Sequence, residues 1–153
     1  MKTKPLLALA AGGLLLLAGC KDDLPQEDCP VLDVATASAT GWDASPYCFA
    51  TPVEGGQYQT YVINSAAELQ ALNHCTTAPT IDFARYTLLA GKTKTAACSS
   101  VKTQRVVRRC AQYTFEVELV AGACQASTEV LYYTLVPKLA AGEQVTIKVA
   151  LPR

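Results

Sequence analysis

The chain has 153 residues, 13 cations against 13 anions, and 50% hydrophobic residues. That is one domain's worth of sequence, long enough to bury a sizeable core. The balanced charge excludes classes that rest on global basicity, nucleic-acid binding above all.

Lys2 and Lys4 precede an apolar run from Pro5 through Ala18. A charged start, a short hydrophobic stretch and small residues ahead of a cut are the layout of a secretory signal. The run falls short of the roughly 20 residues that a membrane span needs. Leu17-Ala18-Gly19-Cys20 resembles the lipobox of bacterial lipoproteins: a branched apolar residue, two small ones, then the cysteine that becomes the mature amino terminus. The resemblance implies cleavage ahead of Cys20, lipid on its thiol and durable attachment to a membrane. Two or more acyl chains, at about 0.8 kcal/mol per buried methylene, hold where one is marginal. Lys21-Asp22-Asp23 is similar to the acidic export tag of surface-displayed lipoproteins in some Gram-negative bacteria. An ordinary solvated tether has the same composition. The implied location is the cell envelope, at the outer membrane, with the tag implying surface exposure. On this reading 1–19 is a signal peptide, 20–28 a lipidated tether, 29–54 an irregular disulfide-tied arm and 55–153 a β-rich globular domain.

The sequence holds 7 cysteines. With Cys20 as lipid acceptor, Cys29, Cys48, Cys75, Cys98, Cys110 and Cys124 are left, an even set that reads as disulfides in an exported chain. No Cys-x-x-Cys spacing occurs and His74 is the only histidine, so neither a metal nor another cofactor is expected. Cys29 and Cys48 flank the proline-containing front segment, and a bridge between them would be worth about 3 kcal/mol. Cys98 and Cys124 lie symmetrically about Ala111, so a hairpin turning there would set them opposite. Cys75 and Cys110 then pair by elimination.

Pro25, Pro30, Pro46 and Pro52 break any long element between Lys21 and Pro52. Trp42, Tyr47 and Phe49 form an apolar group expected to pack on the main domain, with an exposed ligand contact as the alternative. After Gly55-Gly56, Tyr58 to Ile63 reads as a strand. Ser65-Ala66-Ala67-Glu68 matches a capping box, followed by an Ala66, Leu69 and Leu72 stripe and an end near Asn73-His74. Tyr86 to Leu89 reads as a strand ending at Gly91, and Val101 to Arg108 as another. Tyr113, Phe115, Val117 and Leu119 alternate with Thr114, Glu116 and Glu118, the pattern of a sheet with one wet face. Val130 to Val136 is apolar on both sides, which suits a central strand. Val145, Ile147, Val149 and Leu151 alternate again after the Ala140-Ala141-Gly142 turn. The predicted fold is α+β and β-rich: a mainly antiparallel sheet with one short helix, stapled by disulfides. One register stays open. A hairpin centred on Ala111 sets Val117 opposite Arg105, whereas a slip of one residue pairs Arg105 with Glu116 and loses the cysteine symmetry, unless a bulge reconciles the two.

Acidic residues crowd the front of the mature chain, and between Asp82 and Glu116 there are seven cations and no anion. Lys102, Arg105, Arg108 and Arg109 make a candidate surface for an anionic partner such as lipid head groups or an acidic glycan. The plainer reading is a solvated strand face partly neutralised by the acidic arm, since no aromatics interleave with these cations. His74 at a helix end favours the helix dipole. No Gly-x-Ser-x-Gly elbow or phosphate loop occurs. Asp82 with Glu116 or Glu118 is the remaining acid–base pair.

The order Ile63-Asn64-Ser65, Glu68-Leu69, Ile81-Asp82-Phe83 and Tyr86-Thr87-Leu88-Leu89 resembles the small carboxy-terminal domain of protease-complex lipoproteins. The chain has Gly91-Lys92-Thr93-Lys94 where that family has a Gly-Gly-Tyr-like segment. The resemblance implies an α+β fold with a binding or stabilising role beside another protein. The expectation is a lipid-anchored envelope protein that binds or supports another envelope protein, or binds an extracellular ligand, without catalysis. The alternative is an envelope hydrolase using Asp82 and a glutamate on glycan or peptide.

Overall fold

The computed structural model describes residues 29–40, 42, 45–49 and 57–152. The expected signal peptide, Cys20, the tether and Gly55-Gly56 lie outside the described residues. Seven strands occur among the described residues: β1 (Leu32–Asp33), β2 (Tyr58–Ile63), β3 (Tyr86–Thr95), β4 (Ser99–Arg109), β5 (Gln112–Ala121), β6 (Thr128–Pro137) and β7 (Gln144–Ala150). One helix, α1 (Ala66–Leu72), and a 3-10 turn at Pro46–Cys48 complete the elements of the described residues. No helix among the described residues is long and apolar enough to cross a membrane.

The strands form two sheets, ordered β1-β4-β5-β7 and β2-β3-β6. Every pairing is antiparallel except β5 with β7, which run parallel. The period-2 pattern dictates how the sheets stack. Tyr113, Phe115, Val117 and Leu119 of β5 meet Val106, Ile147, Leu89, Val130, Tyr132 and Val136 in one core between the sheets. The opposite face of the three-stranded sheet is apolar as well. Ile63, Leu88, Ala90 and Leu135 pack there against Leu69 of α1 and against Ala39, Trp42, Cys48 and Phe49 of the arm. The molecule is therefore layered as four-stranded sheet, three-stranded sheet, then helix and arm.

This layering corrects two strand expectations. β6 is apolar on both sides, yet it is an edge strand and β3 is central. Its second face is apolar because the arm covers it, and Ala37 bridges Leu135 through reciprocal backbone bonds of 3.0 Å on the open edge. Covering an edge in this way blocks unwanted strand pairing. β3 also continues through Gly91 instead of ending there. A Cβ at Gly91 would lie 2.5 Å from the Tyr132 ring and 2.7 Å from the Gln59 carbonyl, so the glycine serves close approach inside a strand.

The capping box forms with a shift. The Glu68 amide donates to Ser65 Oγ at 3.2 Å, and the Glu68 carboxylate accepts from the Asn64 amide at 2.6 Å, one residue before the cap. Leu69 is buried and Leu72 partly so, while Ala66 faces solvent. Of the three arm aromatics, Trp42 and Phe49 are buried and Tyr47 stands 83% exposed, against the expectation that all three pack inward.

The disulfides are Cys29–Cys110, Cys48–Cys75 and Cys98–Cys124. The last is the pair expected from hairpin symmetry. The other two replace the expected Cys29–Cys48 and Cys75–Cys110 pairs, for a reason of path. The arm runs antiparallel along β4, with Leu32 opposite Arg108, which carries Cys29 to the β4–β5 turn and leaves Cys48 beside the segment after α1. The open register is also decided. Arg105 pairs with Glu116 and Val106 with Phe115, and a bulge between Val101 and Thr103 moves the ladder one residue further the same way, which sets Cys98 beside Gly122; Cys124 reaches Cys98 from the loop beyond β5, its carbonyl accepting from the Cys98 amide at 3.2 Å. The slip is therefore present, and the bulge adds to it without restoring the symmetry about Ala111.

Candidate functional site

The outer face of the four-stranded sheet is built by alternation alone. Once Phe115 and Val117 point into the core, Glu116 and Glu118 must point out, and cross-strand partners share their side. Arg105, Glu116 and Lys148 form one row across β4, β5 and β7, and Thr103, Glu118 and Ala150 form the next. Together they line a groove of about 620 Å³. Arg105 Nε donates to Glu116 Oε2 at 2.7 Å, and Lys102 Nζ donates to Glu118 Oε1 at 2.8 Å. The Thr103 hydroxyl adds a bond to Glu118 Oε2 at 3.3 Å. The Lys102 hydrogen bond is the main cause that holds the Glu118 carboxyl below its ordinary value, with the Lys102 charge and the Thr103 bond adding to it against partial desolvation. Exposed pairs of this kind add little to stability, because water screens them. Their effect is to fix charge positions on the face.

The four cations singled out from the sequence do not form one surface. Arg105 and Arg109 share the outer face, since they stand four residues apart on β4 beyond the bulge. Lys102 sits in the bulge and reaches Glu118. Arg108 points to the other side, over the Tyr113 ring at 5.3 Å, and its Nη2 lies 3.2 Å from Glu143. The same Glu143 carboxylate accepts from the Tyr113 hydroxyl at 3.3 Å and from the Ala140 amide at 2.7 Å. Burial is the largest cause that raises the Tyr113 phenol, followed by the negative charge of Glu143; Arg108 opposes them. This cluster fastens the β6–β7 turn to the hairpin end.

Asp82 stands apart from Glu116 and Glu118. It is exposed in the turn before β3, where its carboxylate accepts from the Ala84 amide at 3.1 Å. Its neighbours Ile81 and Phe83 pack in the helix-and-arm layer, and stacked sheets alone are about 10 Å apart. His74 is exposed, and its backbone amide donates to the Cys48 carbonyl at 2.8 Å.

Lys148 was not singled out from the sequence, because only the parallel β5–β7 pairing brings it beside Glu116. Among the described residues it has no ion-pair partner within the chain. No family model, curated protein or solved structure matches the chain.

Proposed function

We propose that the chain is a lipid-anchored cell-envelope binding protein, held through Cys20 at the outer membrane. Its docking face for another envelope protein is the open face of the four-stranded sheet. The observation that carries this reading is the asymmetry of the two outer sheet faces. One is sealed by α1 and the arm, while the other is open and carries a fixed row of Arg105, Glu116 and Lys148 over a groove. A row of alternating sign favours a partner surface of mixed charge over a polyanion, because complementary potentials set register and suppress wrong partners. The lipobox supports the anchor, and the three bridges suit an oxidising compartment.

The test joins address and face. Intact mass of the membrane-extracted protein, with and without reduction and alkylation, is expected to give acylated Cys20 and no free thiols. A photo-crosslinker at Thr146 on the open face is then expected to trap one discrete envelope protein in cells, and Arg105→Glu with Lys148→Glu to abolish that adduct. An unlipidated product, or an adduct unaffected by the charge reversal, overturns the proposal.

A further inference from the structure

We infer that the hollow between the Pro46–Cys48 turn and the neighbouring end of the β3–β6 ladder is a binding site for an acidic saccharide, separate from the sheet face above. The hollow measures about 540 Å³ and is lined by Tyr47, Lys92, Lys94, Ser127, Thr128 and Glu129, among others. That volume falls within the range of small-molecule sites.

Three observations point to this ligand class. Tyr47 is the most exposed large apolar residue among those described, yet its backbone lies in a tightly held piece of the arm. Ser45 Oγ accepts from the Tyr47 amide at 3.3 Å, and Cys48 next to it is bridged to Cys75. From below, the buried Lys92 ammonium donates to the Phe49 carbonyl at 2.7 Å and to the Pro46 carbonyl at 3.4 Å. An aromatic ring presented outward on a fixed backbone loses little freedom on binding. Its negative face attracts the positively polarised C–H groups of a sugar ring.

The second observation is the division of labour between the lysines. Lys92 is committed inside the fold to the two carbonyls and to Glu129, 3.3 Å away. The side chain of Lys94, directly across the ladder from Glu129, makes no ion pair or hydrogen bond among the described residues. It is the cation available to a carboxylate or sulfate on the ligand. Third, the rim carries hydroxyls whose own protons are engaged. Ser127 donates to the Thr95 carbonyl at 2.8 Å, which leaves its oxygen to accept from a sugar hydroxyl. An aromatic platform, one cation and hydroxyl acceptors together specify a sugar ring bearing a negative charge.

The experiment is amide chemical-shift mapping and calorimetry on the full chain with a trisaccharide of galacturonic acid, its neutral galactose counterpart, and inorganic sulfate. The uronate is expected to shift Tyr47, Lys94 and Thr128 and to bind about tenfold more tightly than the neutral sugar. Tyr47→Ala is expected to weaken both sugars about tenfold, and Lys94→Gln to remove the preference for the uronate. Tyr47 is exposed and the half-buried Lys94 side chain has no hydrogen bond or ion pair among the described residues, so melting curves should match the parent. No shifts at these residues would overturn the inference. So would sulfate binding as well as the uronate without dependence on Tyr47, which is an anion site only, or shifts confined to the Arg105 and Lys148 face.

Discussion

Gly91 and Tyr132 lie opposite each other on β3 and β6, and the tyrosine ring fills the space a side chain at Gly91 would need. Gly91→Ala is therefore expected to destabilise the fold by about 1–3 kcal/mol through overpacking. Urea midpoints for the variant and the parent measure this. An unchanged midpoint would show that the ladder opens freely at this point.

The Tyr132 phenol is raised to about 12, chiefly by burial; the Thr93 hydroxyl, 3.1 Å away, opposes the shift and nearby tyrosines add to it. An unfolded tyrosine ionises near 10.0. The buried phenol's contribution is thus complete below that pH, falls as pH rises through the interval, and is gone above about 12. An absorbance titration of tyrosinate is expected to contain one late phase that Tyr132→Phe removes.

Glu118 behaves in the opposite sense. Its lowered value means that the small contribution of its pair with Lys102 is present above the ordinary carboxylate value of 4.5 and is lost as pH falls through the folded one. Side-chain carbon shifts followed by NMR should place Glu118 below 4.5, and Lys102→Met should move it upward.

Cys110 is the one non-glycine residue with positive φ among those described, at 53°. It occupies the β4–β5 turn, where glycine is the usual choice, and its disulfide partner is Cys29, 81 residues away in sequence. Removing the bridge with Cys29→Ser and Cys110→Ser is expected to cost about 4 kcal/mol. Cys29→Ser with Cys110→Gly should recover about 1 kcal/mol of that, because glycine enters the left-handed region freely. Thermal or denaturant unfolding of the two double variants decides the point.

Lys92→Met is expected to cost about 2–4 kcal/mol, since it leaves the Phe49 carbonyl buried without its donor and takes the cation from Glu129. Hydrogen exchange should rise first in residues 45–49, ahead of the sheets. Uniform loosening would mean that Lys92 supports the whole sandwich and not the arm.

The strand content, the helix start and the inward and outward sides of β5 follow from the sequence by itself, because period-2 alternation and a Ser-to-Glu cap are local physics. The Cys98–Cys124 pair expected from hairpin symmetry forms, although the ladder is not centred on Ala111 and Cys124 joins Cys98 from the loop beyond β5. The paths of Cys29 and Cys48 depended on where an arm with no period of its own finds backbone partners, and that is fixed by the open edges of β4 and β6. Gly91 read as a stop because a glycine demanded by a neighbouring ring looks like a glycine that ends a strand. The candidate surface of Lys102, Arg105, Arg108 and Arg109 is divided by strand alternation, since Arg105 and Arg108 stand three residues apart on β4 and so reach Glu116 and Glu143 on opposite sides. The row with Lys148 and the hollow beneath Tyr47 are decided only in the tertiary structure, because each joins residues distant in sequence, and nothing local encodes which strands will be neighbours.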